Sequence, residues 1–179
     1  MGSTLLPRGT RVGDCLVVRF VAEGITSTVY EGRHATRGHA VALKVLRPDW
    51  CLDPDMMARF LNEARTLQQL DHPHLVRGLD RGQLPNGLPF MVLDWYPEDL
   101  ERALLRQGGA LPAEDSAQVL RQLADGLSLL HAQGLVHRDL KPANVLVAQR
   151  APGAWKVVLA DLGLAKRLPA SPVGGLHVS

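Results

Sequence analysis

The residue types able to do chemistry fall in four separated stretches. His137-Arg138-Asp139-Leu140-Lys141-Pro142-Ala143-Asn144 sets a carboxylate, an amide and two cations within one short segment. Asp161-Leu162-Gly163 follows it after two apolar runs. Lys44 is the lone charged residue in the apolar run Ala40-Val41-Ala42-Leu43-Lys44-Val45-Leu46. Glu63 lies further on, within Arg59-Phe60-Leu61-Asn62-Glu63-Ala64-Arg65-Thr66-Leu67. Carboxylates, an amide and lysines at fixed spacing are the types that position and neutralise charge in a group transfer. Three of these stretches also have a plain reading. The first is a polar loop, the second is a short string that recurs by chance, and Lys44 is a solvent-facing strand position. A buried lysine, however, needs a carboxylate partner, because an unpaired buried charge is strongly unfavourable.

The elements that must position these residues follow from periodicity. Residues 15–22, 28–34 and 40–46 read as three short strands with tight connections, an antiparallel meander. Residues 53–70 change period: Met57, Phe60, Leu61, Ala64, Leu67 and Leu70 recur at three- and four-residue steps, which predicts a helix. Asp53 is its expected N-cap, with Pro54 at the first helical position. Strands are expected at 75–81 and 88–94, helices at 98–107 and 112–133, and strands at 145–148 and 155–160. Val119, Leu120, Leu123, Leu127 and Leu130 form the expected apolar stripe of the long helix. The tail from 167 to 179 is rich in Pro, Gly and Ser and carries no period.

His137 to Asn144 fits the pattern H-R-D-L-x-x-x-N, a specific signal on its own. By it the chain resembles a protein kinase domain of the serine/threonine type found in eukaryotes and many bacteria. Val41-Ala42-Leu43-Lys44 matches the strand motif V-A-I-K with Leu for Ile, and Asp161-Leu162-Gly163 stands in the place of D-F-G. The resemblance runs from about residue 13 to 167. It implies an α+β, protein-kinase-like two-lobe fold: a complete five-stranded β N-lobe with one helix, and an incomplete helical C-lobe. The corresponding division is an arm at 1–12, the N-lobe at 13–94, a partial C-lobe at 95–167 and an irregular tail at 168–179.

The resemblance also assigns roles. Phosphoryl transfer runs on positioning and charge neutralisation. Asp139 would accept or orient the proton of the substrate hydroxyl, and Lys141 would meet the γ-phosphate of ATP, marking the serine/threonine branch. Asn144 and Asp161 would bind Mg²⁺. Lys44 would contact the α- and β-phosphates and pair with Glu63. His137 and Arg138 resemble structural members of the loop, and His72-Pro73 matches the family's turn after the helix. The glycine-rich loop would end at Val29-Tyr30, and its three glycine positions hold Ala22, Gly24 and Ser27. Val29 and Ala42 would cover adenine from above and Leu146 from below. Asp94, Trp95 and Tyr96 would form the connector at its edge, with Leu93 as gatekeeper. Leu67, His137 and Leu162 would stack between the lobes, with Gly78 leaving a gap in that stack.

Composition sets further bounds. Among 179 residues, 20 are basic and 18 acidic, a net charge of +2 too balanced to argue for a nucleic-acid or membrane-surface partner. Two cysteines, Cys15 and Cys51, make no disulfide framework and suit a reducing, cytoplasmic setting. No run of 18 apolar residues marks a membrane span. The histidines outside the loop show no metal-ligand spacing. After Lys166 the family continues through an A-P-E motif and large helices, where this sequence has Arg-Leu-Pro-Ala-Ser171 and a short remainder ending at Ser179. Three functions stay open. One is an ATP- and Mg²⁺-dependent protein serine/threonine kinase. Another is a truncated, catalytically weak nucleotide-binding or regulatory module, with a partner protein covering the exposed long helix. The third is a gene fragment.

Overall fold

The computed structural model of the protein describes residues 5–149, 151, 154–162 and 166–167. Gly163 and the tail 168–179, with Ser171, His177 and Ser179, lie outside the described residues. The first half is one antiparallel sheet of six strands. They are β1 (Arg11–Val12), β2 (Cys15–Glu23), β3 (Ser27–His34), β4 (Ala40–Leu46), β5 (Gly78–Gln83) and β6 (Pro89–Asp94), in the spatial order β1-β2-β3-β4-β6-β5. Helix α1 (Pro54–Gln69) leaves the sheet after β4 and packs back on β5 and β6. The second half contains α2 (Leu100–Arg106), α3 (Ala113–Ala132), β7 (Leu135–Val136), the hairpin β8 (Val145–Gln149) with β9 (Lys156–Leu159), and β10 (Lys166–Arg167) paired with β7. The two-lobe α+β expectation holds.

Side-chain alternation along β4 decides where the chemistry points. Val41, Leu43 and Val45 join the core on the outer side of the sheet with Val12, Tyr30 and Phe90. Ala42 and Leu46 join the core beneath α1, so Lys44 faces the helix with them. Helix α1 begins where its sequence says. The Asp53 carboxylate accepts from the amides of Asp55 and Met56 at 2.9 and 3.1 Å, with Pro54 in the first turn. Its buried residues are Phe60, Glu63, Ala64 and Leu67, one helical face that carries Glu63 inward with the apolar groups.

The structure departs from the sequence reading at four places. The described part of the arm assigned to 1–12 is held to the sheet and ends in β1, which makes the expected five-stranded sheet six-stranded: Val12 is fully buried, Gly9 N–H donates to Val17 O, and Leu6 N–H reaches the Tyr30 hydroxyl. The strand expected at 75–81 begins only at Gly78. Before it, the backbone turns to the second half, with Val76 N–H on Leu159 O and Leu159 N–H on His74 O, both at 2.9 Å. The long helix buries most of its stripe rather than exposing it. Val119, Leu123 and Leu130 are buried, while Leu120, one step of about 100° away on the helix, is 65% exposed. Finally, Gly78 leaves no gap. A Cβ there would fall 2.9 Å from backbone atoms of Leu67 and Gln68, so the last turns of α1 themselves fill that space.

The hairpin β8–β9 is covered rather than left as an open edge. On α3, the Gln122 amide donates to Trp155 O at 2.7 Å and accepts from Val157 N–H at 2.9 Å. Gln118 accepts from Trp155 N–H at 2.9 Å. These bonds fix the hairpin, whose open end presents Asn144, just before β8, beside Asp161, just after β9. Ala160 N–H donates to Asn144 O at 2.9 Å, which joins the two ends.

Candidate active site

Lys44, Glu63 and Asp161 come from three elements and meet at one point. The Lys44 Nζ lies 2.8 Å from Glu63 Oε1 and 3.2 Å from Asp161 Oδ1. Burial works against the Lys44 ammonium, but the Glu63 and Asp161 carboxylates outweigh it and raise its pKa above the ordinary lysine value. Burial pushes the Glu63 carboxyl up, while Lys44 pulls it down. Only 3% of the Glu63 side chain is exposed, so Lys44 is the partner that makes its charge tolerable there.

The loop from His137 to Asn144 is tied by its own side chains. The backbone N–H of Asp139 can only donate, so its 3.3 Å contact makes His137 Nδ1 the acceptor. The proton then sits on Nε2, which donates to Ala160 O at 2.9 Å. A buried imidazole thus joins the loop to the residue before Asp161. Asn144 Nδ2 donates to the Asp139 carbonyl and to its Oδ2, both at 2.8 Å, so the amide oxygen is directed elsewhere. Lys141 Nζ is 2.9 Å from the same Oδ2. Hydrogen bonds from Lys141 and Asn144 hold the Asp139 carboxyl below the usual aspartate range, and Asp139 in turn raises the Lys141 pKa.

Among the described residues, only Arg138 and Asp161 combine a side chain with a left-handed backbone, at φ 67° and 62°. Such conformations persist where surrounding contacts over-determine them, and they cluster at functional sites. Here both flank the junction of the loop with β9.

A cleft of about 490 Å³ opens between the sheet and the second half, a volume suited to a small-molecule ligand. Most residues singled out for a nucleotide line it: Ala22, Gly24, Ser27 and Val29 from the β2–β3 hairpin, Ala42 and Lys44 from β4, Asp94 and Tyr96 from the connector, and Leu146 and Asp161 below. Leu93, Trp95, Glu63 and Asn144 line it as well, whereas Asp139 and Lys141 stand beside it behind Asn144. The connector is anchored at both ends. Asp94 N–H donates to Arg77 O at 3.1 Å, and Glu98 O accepts from Val147 N–H at 2.9 Å.

The protein kinase domain family matches residues 16–175. The chain belongs to that family. Within it, this kinase domain is 36% identical over 157 residues to a serine/threonine-protein kinase of Corynebacterium efficiens, covering 86% of this chain and 29% of that protein. It is 33% identical to the serine/threonine-protein kinase PknA of Mycobacterium tuberculosis, covering 92% of this chain and 38% of PknA. The structure superposes on the PknI kinase domain of the same organism with a TM-score of 0.74 at 30% identity, covering 90% of this chain and 64% of that one. The kinase domain thus spans about a third of the length of these curated relatives.

The donor set suits Mg²⁺. Asp161 and Asn144 offer a carboxylate and an amide, hard oxygen ligands on one wall of the cleft. Among the described residues no cluster of three His, Cys, Asp or Glu forms a cage. A cation held by Asn144 and Asp161 would therefore complete its shell from phosphate and water, the usual manner of Mg²⁺. Sequence reasoning did not single out Val21 and Val76, which also line the cleft of the kinase domain. Their apolar positions beside Ala22 and after His72-Pro73 were the available signal. It also passed over Arg47 and Trp50, whose hydrogen bonds to the carbonyls of Gly24 and Ile25 are visible only through space.

Proposed function

We propose that the chain is the catalytic part of an ATP- and Mg²⁺-dependent protein serine/threonine kinase, moving the γ-phosphoryl group of ATP to a Ser or Thr hydroxyl. The observation that carries this reading is the Lys44 ammonium held between Glu63 and Asp161 at the wall of a nucleotide-sized cleft, with Asp139 and Asn144 bonded to each other below it.

Adenine fits between Val29 and Ala42 above and Leu146 below, at the edge of Asp94 and Tyr96. Glu63 fixes the Lys44 side chain so that its ammonium faces the α- and β-phosphates without searching rotamers. Asn144 and Asp161 would hold Mg²⁺, which supplies neutralisation of phosphate charge. Asp139 keeps its carboxylate ionised through Lys141 and Asn144 and receives the hydroxyl proton of the acceptor. Lys141, half exposed beside Asp139, neutralises charge that builds on the transferred group. Cys15 and Cys51 are free thiols, which supports a reducing, cytoplasmic setting.

Calorimetric titration with ATP and Mg²⁺, followed by phosphoamino-acid analysis of a labelled basic protein, tests this. Mg²⁺-dependent ATP binding that is lost in Lys44→Met and Asp161→Asn, with phosphoserine or phosphothreonine as product, is expected. Binding unaffected by either substitution, or phosphotyrosine as product, overturns it.

A further inference from the structure

The turn between β2 and β3 carries one glycine, Gly24, and that glycine is not among those with positive φ. Its tip residue, Ile25, is 81% exposed and packs the turn against nothing. What holds it is a row of four consecutive carbonyls, each accepting a hydrogen bond. Gly24 O accepts from Arg47 Nη1 at 3.1 Å and Ile25 O from Trp50 Nε1 at 2.8 Å. Thr26 O accepts from Arg47 N–H at 2.9 Å and Ser27 O from Gly24 N–H at 2.8 Å. The Arg47 guanidinium is itself set by Glu23 at 3.1 Å and Asp49 at 2.9 Å.

In a trans peptide the N–H points opposite to the carbonyl. The N–H groups of Ile25, Thr26 and Ser27 are therefore turned away from Arg47 and Trp50. Gly24 and Ser27 line the cleft. Successive backbone amides in a turn bind anions, and they do so best when fixed in advance. We propose that Arg47 and Trp50 are positioning residues of the nucleotide site: they grip the carbonyl side of the 23–27 turn and so present its amide side to the phosphates. This rests on the nucleotide reading above and deepens it.

The test compares binding of ATP with Mg²⁺, ADP and adenosine to the full chain and to Trp50→Phe, Arg47→Lys and Arg47→Gln. Trp50→Phe keeps an aromatic ring at the site and removes the indole N–H donor together with the five-membered ring. The expected result is ATP and ADP weakened about fivefold for each hydrogen bond lost, with adenosine changed by less than about twofold. Arg47→Lys should lose less than Arg47→Gln, because it keeps the ion pairs. Equal weakening of ATP and adenosine makes the two residues merely structural and overturns the proposal, as does unchanged ATP affinity in all three variants. A wild-type chain that binds no ATP overturns the nucleotide reading and this inference with it, whereas normal wild-type binding with insensitive variants removes this inference alone.

Discussion

Lys44 Nζ lies 3.2 Å from Asp161 Oδ1 although 117 positions separate the two residues. The same ammonium holds Glu63 at 2.8 Å, so one cation joins β4, α1 and the segment after β9. Lys44→Met leaves Glu63 buried without its partner. Loss of one member of a buried pair costs about 3–5 kcal/mol. Urea unfolding should show that loss, and phosphoryl transfer should fall by about 10²–10³. The raised Lys44 pKa gives the sign with pH. Its contribution is fully present below the ordinary lysine range and is lost only as pH rises through the raised value, so unfolding free energies of wild type and variant should stay separated across neutral pH and converge in strong alkali.

Gly78 lies where the backbone of α1 packs directly on β5. Gly78→Ala puts a methyl group 2.9 Å from the Leu67 and Gln68 backbone, which cannot swing aside like a side-chain tip. Overpacking of this kind costs about 1–3 kcal/mol. Because α1 carries Glu63, transfer activity should fall together with the melting temperature, and Lys44→Met should add less to Gly78→Ala than to wild type. A stabilised Gly78→Ala would mean that a gap exists there after all.

The acid behaviour of Asp139 depends on its neighbours. Hydrogen bonds from Lys141 and Asn144 hold its carboxyl below the usual aspartate range. A lowered carboxyl pKa favours the native state above the unfolded value, and that advantage disappears as pH falls through the lowered one. Lys141→Met should move the Asp139 titration up, followed by carboxyl-carbon NMR. The acid limb of the pH–rate profile should move the same way.

Gln122 is a structural support with a separable effect. Gln122→Ala removes two bonds to the Trp155 and Val157 backbone and should cost about 1–3 kcal/mol in thermal unfolding. Nucleotide affinity should change little at temperatures where the hairpin remains folded.

Elements with a strong local signal were legible in the sequence: α1 with its Asp53 cap, the apolar strand around Lys44, and the loop from His137 to Asn144. Their residues line or adjoin one cleft. What was not legible arises between segments. Gly78 reads as a missing side chain, because sequence shows a residue's size and not the distance of the facing backbone. Leu120 reads as part of the α3 stripe, because a one-residue offset shows its direction only once β9 has taken Val119 and Leu123. The grip of Arg47 and Trp50 on the 23–27 turn has no sequence signature, since its acceptors are main-chain carbonyls that any residue supplies.

The most direct measurement is transfer of labelled γ-phosphate from ATP to a basic protein by the wild-type chain and by Asp139→Asn, with and without Mg²⁺. Mg²⁺-dependent labelling by wild type is expected, falling by about 10²–10⁴ in Asp139→Asn while ATP binding persists. Equal labelling by both chains, or no labelling by a wild-type chain that binds ATP and Mg²⁺, would contradict this expectation.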